Sequence, residues 1–173
     1  EKHGPIALVH FDAHTDTWPD EDGRLDHGTM FSRAIKENLI DTDHSIQIGI
    51  RTHNSNTKGV KILDAPWVHE NGVKEVIAKI IETVKDRPAY LTFDIDGLDP
   101  AYAPGTGTPV SGGLTSAQAL GIVRGLESIN FIGADVVEVA PAYDHADITG
   151  IIAATIAHDY LALRAKQKRS QEK

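Results

Sequence analysis

Asp12-Ala13-His14-Thr15-Asp16 places three side chains able to ligate a metal in one short stretch, directly after the apolar run Ile6-Ala-Leu-Val-His-Phe11. A second acidic stretch, Asp94-Ile95-Asp96-Gly97-Leu98-Asp99-Pro100, also follows an apolar run much later in the chain. On extended backbone, alternate side chains point to the same side. Asp12, His14 and Asp16 therefore converge on one centre if the strand continues that far, and so do Asp94 and Asp96. Together they offer four carboxylates and one imidazole. A carboxylate can bridge two ions, so this set can hold a pair of metals. The donors are hard and oxygen-rich, which suits Mn²⁺ or Mg²⁺ better than Zn²⁺ or Cu. Two such ions ~3.5–4 Å apart can share a water and lower its pKa. An isolated Asp-x-His is a weak signal, and Asp-x-Asp at a strand end is often a turn or cap. Two such clusters at corresponding strand ends are harder to dismiss, because crowding buried carboxylates is costly without compensating cations.

The elements that must position these groups alternate. Strands are expected over residues 5–12, 45–50, 89–94 and 131–139, with a short one at 60–63. Helices are expected over residues 28–38, where Met30, Phe31, Ala34 and Ile35 recur at helical spacing, over 73–86, and from an N-cap at Thr115 to about Ile129. A closing helix covers residues 147–168, ahead of a basic tail. Polar loops fill residues 15–27 and 53–59, and a Gly/Pro-rich loop runs from Gly97 to Gly113. This pattern predicts an α/β fold, a mostly parallel sheet layered with helices, in one domain over residues 1–173. The first strand is apolar on both faces, as buried parallel strands are, and His10 within it reads as packing. In such sheets the ligand site lies beyond the carboxyl ends of the strands, where both acidic stretches and Glu138 fall.

The 173 residues carry a net charge of −8, which argues against a nucleic-acid partner and is compatible with divalent metals or a cationic substrate. There is no Cys, so disulfides and thiolate-held zinc are excluded. That absence is compatible with a reducing, cytoplasmic compartment. No apolar run approaches the ~18 residues of a membrane span.

Three segments together resemble the signature segments of the ureohydrolases, the arginase and agmatinase family. They are Asp12-Ala-His-Thr-Asp16, Thr92-Phe-Asp-Ile-Asp-Gly-Leu-Asp-Pro100 and Glu138-Val-Ala-Pro141. The resemblance runs from about residue 6 to residue 160. It implies a three-layer α/β/α fold of the arginase/deacetylase type, two Mn²⁺ per complete site, and hydrolysis of a guanidino group. Asp26-His-Gly-Thr-Met-Phe31, Ile46-Gln-Ile-Gly-Ile-Arg-Thr52 and Ala103-Pro-Gly-Thr-Gly-Thr-Pro109 are most similar to the agmatinase branch, which cleaves agmatine to putrescine and urea. By the same resemblance Asp12, His14, Asp16, Asp94 and Asp96 are metal ligands, with Asp12 and Asp94 as bridges. Glu138 receives the guanidinium, Thr108 lies near the substrate, and His27 shuttles protons. Asp96 or another ligand carboxylate is expected to relay a proton to the leaving amine. Partners are a small cationic guanidino substrate and further copies of the chain, as a trimer or hexamer.

One departure bears on activity. The family carries a further ligating histidine in a Gly-Gly-Asp-His segment ahead of the Asp-x-His-x-Asp stretch, and these residues contain no such segment. The expectation is a C-terminal portion of the domain that lacks the first strands, holds one of the two metals weakly and turns over poorly. The substrate's far end is open on sequence grounds. Asp20, Glu21 and Asp22 favour a cationic tail, Arg24 an anionic one, and a solvated loop remains the plainer reading. The alternatives are a hydrolase of guanidinobutyrate, guanidinopropionate or formimidoylglutamate, and an inactive metal-binding or assembly module. A single-zinc deacetylase is disfavoured by the second acidic pair and Asp16. Trp18 is expected to line the pocket mouth, and Trp67 to pack at an edge.

Overall fold

The computed structural model describes residues 2–20, 23 and 25–171, with the side chains of Ser170 and Gln171 excluded. Glu21, Asp22 and Arg24, the loop charges weighed above, lie outside the described residues. Five strands form one sheet: β1 (Ala7–Phe11), β2 (Ile46–Ile50), β3 (Lys61–Asp64), β4 (Ala89–Asp94) and β5 (Phe131–Val137). Their order is β3-β2-β1-β4-β5, and every neighbouring pair is parallel. The chain leaves β1 toward β2 and β3, then returns to place β4 on the other side of β1. The order thus reverses between β1 and β4, and a crevice opens beyond their carboxyl ends at such a point. Phe11 ends one of these strands and Asp94 the other.

Among the described residues four helices cover the sheet: α1 (Met30–Lys36), α2 (Ala65–Val84), α3 (Ser116–Gly125) and α4 (Ile148–Gln171). Strand alternation sorts β1 by face. Ala7, Val9 and Phe11 join the main core with Ile46, Ile48, Leu91, Phe93, Val76, Ile80, Ile122 and Ile156, drawn from β2, β4, α2, α3 and α4. Phe11 and Phe93 stack at 4.8 Å between ring centres. Leu8 points the other way and packs with Phe31 of α1 and with Ile40. The layers are therefore α2, α3 and α4 on one face, the sheet, and α1 on the other.

Several boundaries differ from the sequence expectation. Helix α2 begins at Ala65, ahead of the expected residue 73, because Asp64 caps it by accepting from Trp67 N and Pro66 sits in its first turn. Gly72 breaks its path with φ 76°, which hid the first half from a periodicity reading. Thr115 does cap α3, in a reciprocal capping box with Gln118, but the helix stops at Gly125 and not near Ile129. The third strand reads Lys61–Asp64 where 60–63 was expected. Strand β5 ends at Val137 and not Val139, because Glu138 adopts the left-handed region at φ 61°. Among the described residues no helix is long and apolar enough to cross a membrane. Trp67 packs partly buried against the main core, as expected.

Candidate metal centre and active-site cleft

The two acidic stretches meet, although not by strand alternation. Strand β1 stops at Phe11, so the expectation that extended backbone runs through Asp16 is overturned. Residues 12–16 instead form a turn, and Asp16 has φ 51°. The turn is tied to β2's end, where Arg51 N and Thr52 N donate to Ala13 O. Thr52 Oγ1 donates to the same carbonyl. Asp94 closes β4 and caps the next residues, Ile95–Gly97, which form a 3₁₀ turn: the N–H of Asp96 donates to Asp94 Oδ1 at 2.9 Å. Gly97 lets this turn press onto β1: a Cβ there would lie 2.9 Å from Asp12 N and 3.2 Å from Asp12 Cα. That approach sets Asp96 Oδ1 3.1 Å from Ala13 N, which donates to it.

The side chains converge on Asp12, which is 1% exposed. His14 Nδ1 lies 3.2 Å from Asp12 Oδ1 and 3.1 Å from Asp96 Oδ2. His14 N donates to Asp12 Oδ1 at 2.6 Å. His10 Nε2 lies 2.8 Å from Asp12 Oδ2. Two donor groups result, Asp12 with His14 and Asp96, and Asp12 with His10 and Asp16, and Asp12 belongs to both. His10 is the residue that sequence reading misplaced. It is no simple packing residue; clean alternation puts position 10 on the same side as position 12, and that signal was available. Gln47, the register partner of His10 on β2, was also missed. It donates through Nε2 to Thr15 O at 2.7 Å, with His10 Nδ1 2.9 Å from the same nitrogen. Gln47 Oε1 is buried without a hydrogen-bond partner among the described residues.

The electrostatics of the cluster are those of carboxylates short of positive charge. Burial pushes Asp94 up to about 9, reinforced by the charges of Asp12 and Asp96. Burial also lifts Asp16 to about 7, with Asp12 adding to it. Hydrogen bonds to Asp12 and Asp96 raise His14 to about 10. Burial works against the charge of Asp12 as well, but His10 and His14 outweigh it and hold that carboxyl below the usual carboxylate range. Three close carboxyls with raised or opposed charge, hard oxygen donors and one imidazole fit a divalent cation pair, which would reverse each upward carboxylate shift.

The cluster floors a cleft of about 360 Å³ lined by Asp12, His14, Asp16, Asp94, Asp96 and Thr108 below and by Trp18, His27, Met30 and Glu138 toward the mouth. Every residue expected at the site is therefore in or at this one cleft. Thr108 Oγ1 donates to Asp96 Oδ2 at 2.9 Å, so its hydroxyl supports a carboxylate of the cluster. Glu138, turned by its left-handed backbone, pairs with His27 Nδ1 at 2.9 Å, where His27 is 90% exposed and Glu138 35%. Met30, expected on the apolar side of α1, is 43% exposed and faces the cleft instead. Trp18 closes over Gly28, where a Cβ would lie 3.1 Å from the indole Cδ1.

Arg51 holds the surrounding loop. It donates to the carbonyls of Gly49, Asp96, Gly97, Leu98 and Val110 at 2.6–3.3 Å, which binds the Asp96 turn and the Gly/Pro-rich loop to the end of β2.

The chain is similar to known proteins in sequence and in fold. The agmatinase of Chromobacterium violaceum is 59% identical over 170 residues, 97% of this chain and 53% of that protein. The crystal structure of a hypothetical agmatinase from Burkholderia thailandensis superposes with TM-score 0.94 at 59% identity, covering 96% of this chain and 53% of that one. Proclavaminate amidino hydrolase from Streptomyces clavuligerus gives TM-score 0.92 at 45% identity, covering 96% and 58%. The chain spans about half the length of the curated relatives it matches. Its sequence follows the arginase family profile over residues 1–162, so the chain belongs to the arginase family.

Proposed function

We propose that these residues form the metal-binding and substrate-binding half of a manganese-dependent hydrolase of guanidino groups, with agmatine as substrate and putrescine and urea as products. The observation that carries the reading is the shared carboxylate. Buried Asp12 lies between His14 and Asp96 on one side and Asp16 on the other, on the floor of one cleft, and Glu138 stands at its mouth. The names of the relatives, agmatinases at 56–59% identity, support the choice of agmatine.

Asp12, His14, Asp16, Asp94 and Asp96 would hold the cations. When bound, a pair of hard divalent ions supplies a water of lowered pKa and Lewis acidity toward the reacting carbon. Glu138 receives the guanidinium as a paired, charge-assisted hydrogen bond once it releases His27. That ion pair aims the central carbon at the carboxylate floor. Thr108 keeps Asp96 oriented by donating to Oδ2. Hydrolysis adds water across a C–N bond, and the departing amine takes a proton. Asp96 is placed to pass that proton on within the cleft, and His27, exposed at the mouth, exchanges it with solvent. Trp18 and Met30 give the mouth an apolar wall suited to a methylene chain. The homo-oligomer belongs to this proposal through the family resemblance, and the cytoplasmic setting through the absence of Cys.

The test is urea release with Mn²⁺ from a panel of agmatine, arginine, guanidinobutyrate and guanidinopropionate, with formamide release from formimidoylglutamate. The gene product should prefer agmatine by at least tenfold in kcat/KM. A preference for one of the acids overturns the substrate assignment, and no turnover of any member overturns the activity.

A further inference from the structure

The buried pair Gln47 and His10 lies beside Asp12, in register on neighbouring strands, and neither residue has a part in the function proposed above. Both side chains are at most 1% exposed. Thr15 O can only accept a hydrogen bond, so the Gln47 atom 2.7 Å from it must be the amide nitrogen. That same nitrogen lies 2.9 Å from His10 Nδ1. Its second N–H points there, so Nδ1 must offer a lone pair. In neutral imidazole the proton then sits on Nε2. Nε2 lies 2.8 Å from Asp12 Oδ2, so it donates to the carboxylate. The edge of Phe31 against His10, at 4.7 Å between ring centres, holds the imidazole from the α1 side.

Asp12 then has one permanent protein donor per oxygen: the His14 backbone N–H on Oδ1 and the His10 Nε2–H on Oδ2. Each oxygen keeps a lone pair for the cleft, the arrangement a carboxylate needs to serve two cations at once. The reversed tautomer would set an imidazole lone pair against Oδ2 and turn the carboxylate away. Gln47 also fixes the carbonyl between His14 and Asp16, so one amide governs the geometry of three donors.

We propose that Gln47 is a positioning residue that locks His10 as the Nε2–H tautomer, and that His10 orients Asp12 without itself ligating a cation. The proposal rests on the reading of Asp12 as a metal ligand given above. Outer-shell partners of this kind carry ~10–100-fold in metal affinity.

The experiment uses the chain with ¹⁵N-labelled histidine. Imidazole nitrogen–proton correlation spectra of the metal-free and Mg²⁺-loaded protein should both show His10 protonated on Nε2. An Nδ1–H tautomer, or loss of the Nε2 proton when Mg²⁺ binds, overturns the proposal, the second by making His10 a ligand. Gln47→Glu keeps the volume and as the carboxylate can only accept, so it should put a proton on His10 Nδ1 and weaken Mn²⁺ binding by tenfold or more in calorimetric titration. Gln47→Met, which loses both donors, should weaken it similarly, with circular dichroism confirming the fold. Wild-type affinity in both folded variants overturns the proposal. If the variants fail to fold, the wild-type tautomer still decides. A wild-type chain that binds no Mn²⁺ overturns the metal reading, whereas Mn²⁺ binding without urea release from agmatine overturns only the proposed activity.

Discussion

Loading the metal-free chain with Mn²⁺ should expel protons, and the number follows from the cluster. At pH 7 Asp94, pushed up to about 9, holds its proton. Asp16, at about 7, is half protonated. His14, at about 10, carries its extra proton. All three must be deprotonated to donate to a metal, so filling the site releases ~2–3 protons near neutral pH. The same count is the slope of log affinity against pH, so Mn²⁺ binding should tighten by ~100-fold or more from pH 6 to 7. The metal-free fold moves the opposite way. Asp16 and Asp94 have folded values raised above 3.8 and His14 above 6.5. Each therefore stabilises fully below its unfolded value and loses that contribution as pH rises toward about 7, 9 and 10 respectively. Asp12, held low, has the reverse sign and loses its contribution only in acid below 3.8. Metal-free Tm should thus fall from about pH 5 to pH 9, while the increment from saturating Mn²⁺ grows over the same range. The assay is calorimetric titration in buffers of different ionisation enthalpy, whose slope counts protons, alongside Tm scans with and without Mn²⁺. Mn²⁺ binding with fewer than one proton released would refute the electrostatic account of the cluster.

Asp94→Asn keeps the acceptor for Asp96 N, so the metal-free protein should be about as stable at pH 8, where Asp94 at about 9 is mostly neutral already, and more stable above pH 9, where burial opposes the charge, while the Tm rise with Mn²⁺ disappears; an intact rise sinks the ligand assignment. Gly97→Ala forces a methyl to 2.9 Å from Asp12 N. It should cost ~1–3 kcal/mol in urea unfolding, with weaker Mn²⁺ binding; wild-type stability would mean the turn has room to spare. Arg51→Lys cannot reach five carbonyls with three donors, so about 2 kcal/mol or more should be lost, read as a lower midpoint at unchanged m-value. His27→Ala, at an exposed position, should lower turnover and leave metal content and Tm intact; unchanged turnover removes His27 from proton transfer.

The acidic residues and His14 of the cleft floor were legible from sequence because their types are unusual at strand ends. An apolar run on both faces marked β1 as a buried parallel strand, with Asp-x-His-x-Asp following at once, and Asp-x-Asp closed the apolar run of β4. Thr115 was legible as a cap because capping is local chemistry. The start of α2 was not, because Gly72 interrupts the periodicity and the cap at Asp64 lies well upstream. The length of β5 was misjudged because the left-handed turn at Glu138 has no signature in a valine-rich run.

Sequence by itself determined which groups would meet. It placed the acidic residues after strands and set the strand-helix alternation that yields a parallel sheet with a crevice at one end. Only the tertiary structure decided how they meet. Asp12, His14 and Asp16 converge through a turn that Ala13 O and Gly97 hold against β2 and β4, not through pleat alternation. Gln47 came to hold His10 because β2 pairs with β1 in that register. Those are contacts between residues far apart in the chain, and their hydrogen-bond directions exist only once the strands pair.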